Sequence, residues 1–201
     1  MNIGILGGTF DPPHKSHKVI ADECIKRKLV DEVWVCPTFN HVDKKNSATF
    51  EQRFKMCKMM FGGFINRKIK VKDCEQYNSS GTTIELIALL KINFPDHNFK
   101  VIIGEDRAEH IEEWKWWKQL TDGTDFIIFK REDYVGGFHP EKSEWFTNSD
   151  RHIVIKCEEC WISSTYCRRI SKQRCFNILD RILTNKKIAK YIEKQNIYQR
   201  R

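Results

Sequence analysis

The chain opens on the apolar run Ile3 to Leu6, too brief for a helix and suited to a buried first strand. A glycine- and proline-rich interval follows. Val19, Ile20, Cys24, Ile25 and Leu29 then recur at helical spacing with Lys and Asp between them, which predicts a helix over 18–29. Val33-Trp34-Val35-Cys36-Pro37 reads as a second buried strand closed by proline. Strand, helix, strand in that order implies a right-handed parallel crossover. The alternation continues with a helix over 50–61 capped by Ser47 or Thr49, a third strand over 69–71, and a Ser/Thr capping stretch that leads into an apolar helix through Leu90. Apolar runs over 100–104, 126–129 and 152–155 supply later strands. The expected fold class is therefore α/β, a Rossmann-like doubly wound parallel sheet in one domain over 1–201. The interval 134–150 has no periodicity and reads as a surface insertion, and 163–201 as a small helical C-terminal part.

Composition narrows this picture without redirecting it. With 201 residues, 40% hydrophobic and 31% charged, the chain suits a globular protein with one well-buried core. No apolar run is long enough to span a bilayer and the start lacks the layout of a signal peptide, so the expected localisation is cytoplasmic. A net charge of +8 would attract nucleic acid, a membrane surface or an anionic metabolite. The positive residues are interleaved with Asp and Glu, apart from the Lys-rich C-terminal segment, and solvated surface is the reading adopted. The cysteines sit singly in apolar or helical contexts, apart from Cys157-Glu158-Glu159-Cys160. That CxxC has no partner at metal-ligand spacing, so reduced thiols are expected and no metal site is assigned.

Candidate chemistry concentrates between Gly4 and His17. Gly7 and Gly8 follow the first strand where the chain must turn, and they let backbone N–H groups approach a ligand. Pro12 and Pro13 bar a helix until His14. His14 and His17 lie three apart at the expected helix start, so both can face the space beyond the strand end. Glycine-rich backbone, a helix N-terminus and two imidazoles suit a polyphosphate. Near the other end, Ser163-Ser164-Thr165 at a helix start with Arg168 one turn on form a second anion cradle.

Gly7-Gly8-Thr9-Phe10-Asp11-Pro12-Pro13-His14-x-x-His17 resembles the signature of the HxGH-type nucleotidylyltransferases. Its Thr-Phe-Asp-Pro wording is most similar to the nicotinate (or nicotinamide) mononucleotide adenylyltransferases. Ser16 departs from the signature, which has glycine there. Ile102-Ile103-Gly104-x-Asp106 with Trp114, and Ile162-Ser163-Ser164-Thr165-x-x-Arg168, match further segments of that family, and the tail to Tyr198 resembles its closing helix. The resemblance implies adenylyl transfer from ATP to a pyridine mononucleotide, with pyrophosphate released, in NAD biosynthesis. It implies His14 and His17 as the catalytic pair. Gly7, Gly8, Thr9, Phe10, Lys44, Gly104, Asp106, Ser163, Ser164, Thr165 and Arg168 would complete the ATP site. Thr83 and Trp114 would hold the mononucleotide, Trp114 as a stacking platform and Trp116 as packing. Mg²⁺ would be bound through the ATP phosphates, with no protein metal site. The implied partners are ATP and a pyridine mononucleotide, with no nucleic acid and no membrane; a homo-oligomer is compatible. The competing readings are a related adenylyl or cytidylyl transferase acting on another phosphate acceptor, and a non-catalytic nucleotide-binding module.

Overall fold

A computed structural model of the chain describes residues 1–39, 47–62, 67–131, 140–157, 162–183 and 185–199. Six parallel strands form one sheet in the order β3-β2-β1-β4-β5-β6, with β1 at Asn2–Gly8, β2 at Glu32–Pro37, β3 at Ile69–Val71, β4 at Asn98–Gly104, β5 at Asp125–Arg131 and β6 at Ile153–Cys157. Helices cross between them: α1 (Lys15–Lys26), α2 (Phe50–Phe61), α3 (Thr83–Asn93), the short α4 (Glu105–Ala108), α5 (Trp117–Gly123) and α6 (Pro140–Thr147). The chain then closes with α7 (Ser164–Lys172), α8 (Phe176–Leu183) and α9 (Lys186–Lys194). Both faces of the sheet are covered, which is why its strands read as continuous apolar runs rather than alternating ones.

Alternate residues of β1 feed two cores. Ile3 and Ile5 pack with Leu86 and Leu90 of α3, Leu120 of α5 and Phe146 of α6. Leu6 packs on the opposite side with Cys24 of α1, Met56 and Met60 of α2, and Leu179, Ile188 and Ile192 from the closing helices. The C-terminal helices thus belong to the same core as the first strand. The strand order reverses at β1, whose neighbours are β2 and β4. A crevice is expected beyond the carboxyl ends of strands at such a switch point, and the glycine signature lies there.

Two expectations are corrected. The interval 134–150 is not a plain surface insertion: α6 lies within it, buries Phe146 to 1% exposure, and donates the Trp145 indole N–H to the Ala108 carbonyl at 3.0 Å. Its helix is short and carries few apolar residues, so little periodicity is left to see. The cysteines do not all sit singly either. The Cys36 and Cys74 Sγ atoms are 3.3 Å apart, joined by a fold that brings β2 beside the 3-10 turn at Cys74–Tyr77. Cys160 lies outside the described residues. Among those described, no helix is long and apolar enough to cross a membrane.

Candidate active site

The turn after β1 is bent by Phe10, whose φ of 49° places a non-glycine residue in the left-handed region. Such a conformation costs roughly 1–2 kcal/mol, and burial of the ring holds it: Phe10 is 1% exposed and meets the His17 ring edge-on at 4.8 Å. The Asp11–Pro12 peptide is cis. A Cβ built on Gly7 would meet nothing within 4 Å, so the backbone there borders open space that a ligand can enter.

Asp11 is the hub of this turn. Its buried carboxylate accepts from the Ser47 N–H at 2.8 Å, the Ala48 N–H at 3.1 Å and the Tyr198 hydroxyl at 2.8 Å. Burial first, and then the neighbouring Asp11 charge, push the Tyr198 phenol up, so it stays a donor. Arg53 comes in from α2 and donates to the Thr9 carbonyl at 2.7 Å and the Ala48 carbonyl at 3.3 Å. It is 1% exposed. Desolvation works against its charge, and the Asp11 carboxylate is the largest opposing influence.

His14 is the N-cap of α1, which begins at Lys15, three residues earlier than expected. The His14 N–H donates to His17 Nδ1 at 3.2 Å. In a neutral ring that fixes the proton on Nε2, the donor a phosphate oxygen needs. The two imidazoles lie 3.7 Å apart, centroid to centroid, so they form one paired surface.

The second cradle is fastened directly to the first. Ser164 Oγ donates to the Pro12 carbonyl at 2.9 Å, and Arg168 Nη1 to the Asp11 carbonyl at 2.8 Å. Arg168 Nη2 also donates to Thr165 Oγ1 at 3.0 Å. Ser163 caps α7 by accepting from the Tyr166 N–H. The amides of Ser164 and Thr165 have no carbonyl within the helix to meet, which leaves that turn suited to an anion. Residues about 150 positions apart therefore bound one space.

The chain is similar to known proteins over nearly its whole length. A cytidylyltransferase-like family model matches residues 5–170. The chain belongs to the cytidylyltransferase-like family. It is a nucleotidyltransferase by that membership. A probable nicotinate-nucleotide adenylyltransferase of Fusobacterium nucleatum is 33% identical, covering 98% of this chain and 100% of the relative. A nicotinate-nucleotide adenylyltransferase of Bacillus subtilis is 30% identical, covering 98% of each chain. In fold, the chain is similar to Plasmodium falciparum nicotinic acid mononucleotide adenylyltransferase complexed with NaAD, at a TM-score of 0.85 and 24% identity, covering 98% of this chain and 97% of that one.

As in other doubly wound sheets, the remaining candidate residues of this cytidylyltransferase-like chain sit past the strand ends or at helix starts. Gly104 ends β4 and caps α4, which carries Asp106. Thr83 is the first residue of α3. Trp114 ends the 3-10 turn at Ile111–Glu113 and packs, half-buried, against the core that holds Leu86 and Leu120. Trp116 is no packing residue: it is 55% exposed with φ 62°, and Trp117 takes the inward place instead. Lys44 lies outside the described residues. Glu75, in the turn before α3, is buried, and desolvation pushes its carboxyl up to about 7 against a hydrogen bond from Asn78.

Four residues with site-building contacts were absent from the sequence-derived site: Asp11, Ser16, Arg53 and Tyr198. Only Arg53 carried a usable signal. It falls three and four residues before Met56 and Cys57, on the face of α2 that turns inward.

Proposed function

We propose that this protein transfers the adenylyl group of ATP to nicotinate mononucleotide, releasing pyrophosphate and forming the dinucleotide of NAD biosynthesis. The observation that carries the reading is the junction of the two anion cradles, Ser164 to Pro12 and Arg168 to Asp11, beside the histidine pair. One polyphosphate can meet both. The names of the relatives favour nicotinate over nicotinamide mononucleotide as acceptor.

In the proposed mechanism a phosphate oxygen of the mononucleotide attacks the α-phosphorus of ATP in line. The new P–O bond forms as the bond to the β-phosphate bridging oxygen breaks, and pyrophosphate leaves with the electron pair. Such a transfer asks little covalent chemistry of the protein; positioning and charge stabilisation do most of it. His17 Nε2–H donates to the α-phosphate oxygens as charge builds, and His14 to the adjacent phosphate. The amides of Ser164 and Thr165 and the Arg168 guanidinium hold the outer phosphates. Two contacts use only part of that guanidinium, which has five N–H donors. Gly7, Gly8, Thr9 and Phe10 line the approach, with Gly104 and Asp106 at the nucleoside end; Lys44, outside the described residues, would add a phosphate contact. Thr83 and Trp114 take the mononucleotide, the indole stacking on the pyridine.

Mg²⁺ enters with ATP as part of the substrate. Among the described residues no group of three or more His, Cys, Asp or Glu side chains could hold a metal ion. The ion would neutralise phosphate charge.

The test is direct. The protein, ATP and Mg²⁺ are incubated with nicotinate or nicotinamide mononucleotide, and pyrophosphate and dinucleotide are measured. Dinucleotide should form, with the higher kcat/KM on nicotinate mononucleotide; no dinucleotide from either acceptor refutes the reading.

A further inference from the structure

We propose that Ser16 is a positioning residue for the ATP triphosphate, acting through the backbone of Ile162. This rests on the proposed function for the identity of the ligand. Ser16 occupies the place where the resembled signature has glycine. It lies in the first turn of α1, between His14 and His17, and is 2% exposed. Its Oγ donates to the Ile162 carbonyl at 3.2 Å and accepts from the Ile162 N–H at 3.1 Å. One hydroxyl thus satisfies both backbone groups of a residue that is itself 1% exposed and lies 146 positions away. Ile162 falls between the end of β6 at Cys157 and the Ser163 cap of α7. Neither a strand ladder nor a helix serves its peptide groups, and buried groups of this kind need a partner.

The consequence is a division of roles. Ser164 and Arg168 also tie the second cradle to the first, but they are the groups proposed to meet phosphate. When ATP enters, these two residues have to serve the nucleotide as well as the Pro12 and Asp11 carbonyls. The Ser16 hydroxyl faces Ile162 and is buried, so it does not have to let go. It fixes the position of Ile162, and with it the Ser163-Ser164-Thr165 turn, relative to the histidine pair in both the free and the bound state. Glycine at this position leaves the two Ile162 groups without that partner and lets the turn shift. A displacement of even an ångström at a phosphate-holding turn is costly.

Ser16→Gly and Ser16→Ala should each raise KM for ATP about tenfold, while KM for the mononucleotide and kcat stay within about twofold. Hydrogen exchange at the Ile162 amide should quicken by about the same factor. Ser16→Cys keeps the size but has only a weak donor and acceptor, and should weaken ATP binding as well. Ser171→Ala is the structural comparison. It removes another buried hydroxyl, bonded to the Ile197 carbonyl at 3.4 Å, and should lower Tm without moving KM for ATP. Affinity for a non-hydrolysable ATP analogue is measured for every variant. An unchanged analogue affinity in Ser16→Gly, equal rises in both KM values, or a Ser16→Cys variant indistinguishable from wild type would overturn the proposal. Wild-type protein that binds the analogue but makes no dinucleotide refutes the proposed function alone, and the analogue affinities still decide the role of Ser16. Wild-type protein that does not bind the analogue overturns both.

Discussion

Replacing Glu75 by Gln should make the protein more stable, by a margin that grows as pH rises from 5 and levels off above neutrality. Glu75 is 6% exposed, and its carboxyl is raised from an ordinary 4.5 to about 7, first by desolvation, with the Asn78 hydrogen bond opposing and the Glu85 charge adding to it. The fold therefore prefers the protonated form. A group raised in this way contributes its full stability below its unfolded value, and that contribution is lost as pH rises through the folded value. At ~1.4 kcal/mol per pH unit, the burden on the folded state grows from under about 1 kcal/mol at pH 5 to about 3 kcal/mol at pH 8.5. Glutamine has nearly the same shape and keeps an oxygen for the Asn78 amide, but carries no charge to desolvate. Thermal unfolding of Glu75→Gln and wild type, followed by far-UV circular dichroism at both pH values, isolates the difference. The advantage of the variant should widen by roughly 2 kcal/mol between pH 5 and pH 8.5, or about 5 °C in Tm for a chain of this size. Equal differences in Tm at the two pH values would refute the argument, because a packing effect of the substitution would be independent of pH.

His17→Ala should cut kcat by about 10²–10³, the scale of losing a donor aimed at developing charge, while far-UV circular dichroism stays that of wild type. A kcat within threefold of wild type would remove His17 from the chemistry. Trp114→Ala should raise KM for the mononucleotide by about three- to tenfold, the worth of one aromatic stacking contact, and leave KM for ATP unchanged. Steady-state titration of each substrate at saturation of the other separates the two, and a rise only in KM for ATP would place the indole elsewhere.

The strands and helices that bury a continuous or a one-sided apolar pattern were legible from local sequence. Phe50–Phe61 and Ile69–Val71 match their expected limits, because a capping Thr49 and a compact β-branched run mark those boundaries. Polar starts were less visible. The first turn of α1 holds Lys15, Ser16 and His17, which carry no helical periodicity, so the expected helix began at 18. The two anion cradles were legible because glycine, proline, histidine and hydroxyl residues cluster at helix starts for reasons of backbone chemistry. Nothing in the letters Asp11, Ser16 or Tyr198 states their partners. A carboxylate beside prolines or a serine between histidines reads as solvent-facing until the long-range pairing is known. Trp116 misled for the same reason: three tryptophans in four positions do not say which one the left-handed turn throws outward.

The contacts that were hidden in the sequence are also those that complete the site. Each half of the proposed phosphate cradle is built locally, from a strand end or a helix start, and could form wherever its own element folds. What places the halves together is a small set of polar bonds spanning most of the chain: Ser16 with Ile162, Ser164 with Pro12, Arg168 with Asp11 and Tyr198 with Asp11. Such bonds are worth little until the closing helices have docked on the core that holds Leu6, since loop closure must come before any non-local contact is rewarded. The docking itself is apolar, through Leu179, Ile188 and Ile192, and it tolerates small shifts that a phosphate site does not. Burial brings the C-terminal part to the sheet, and the polar bonds set its final position. Substitutions in the two sets should accordingly differ in kind, the first lowering stability and the second altering how ATP is held.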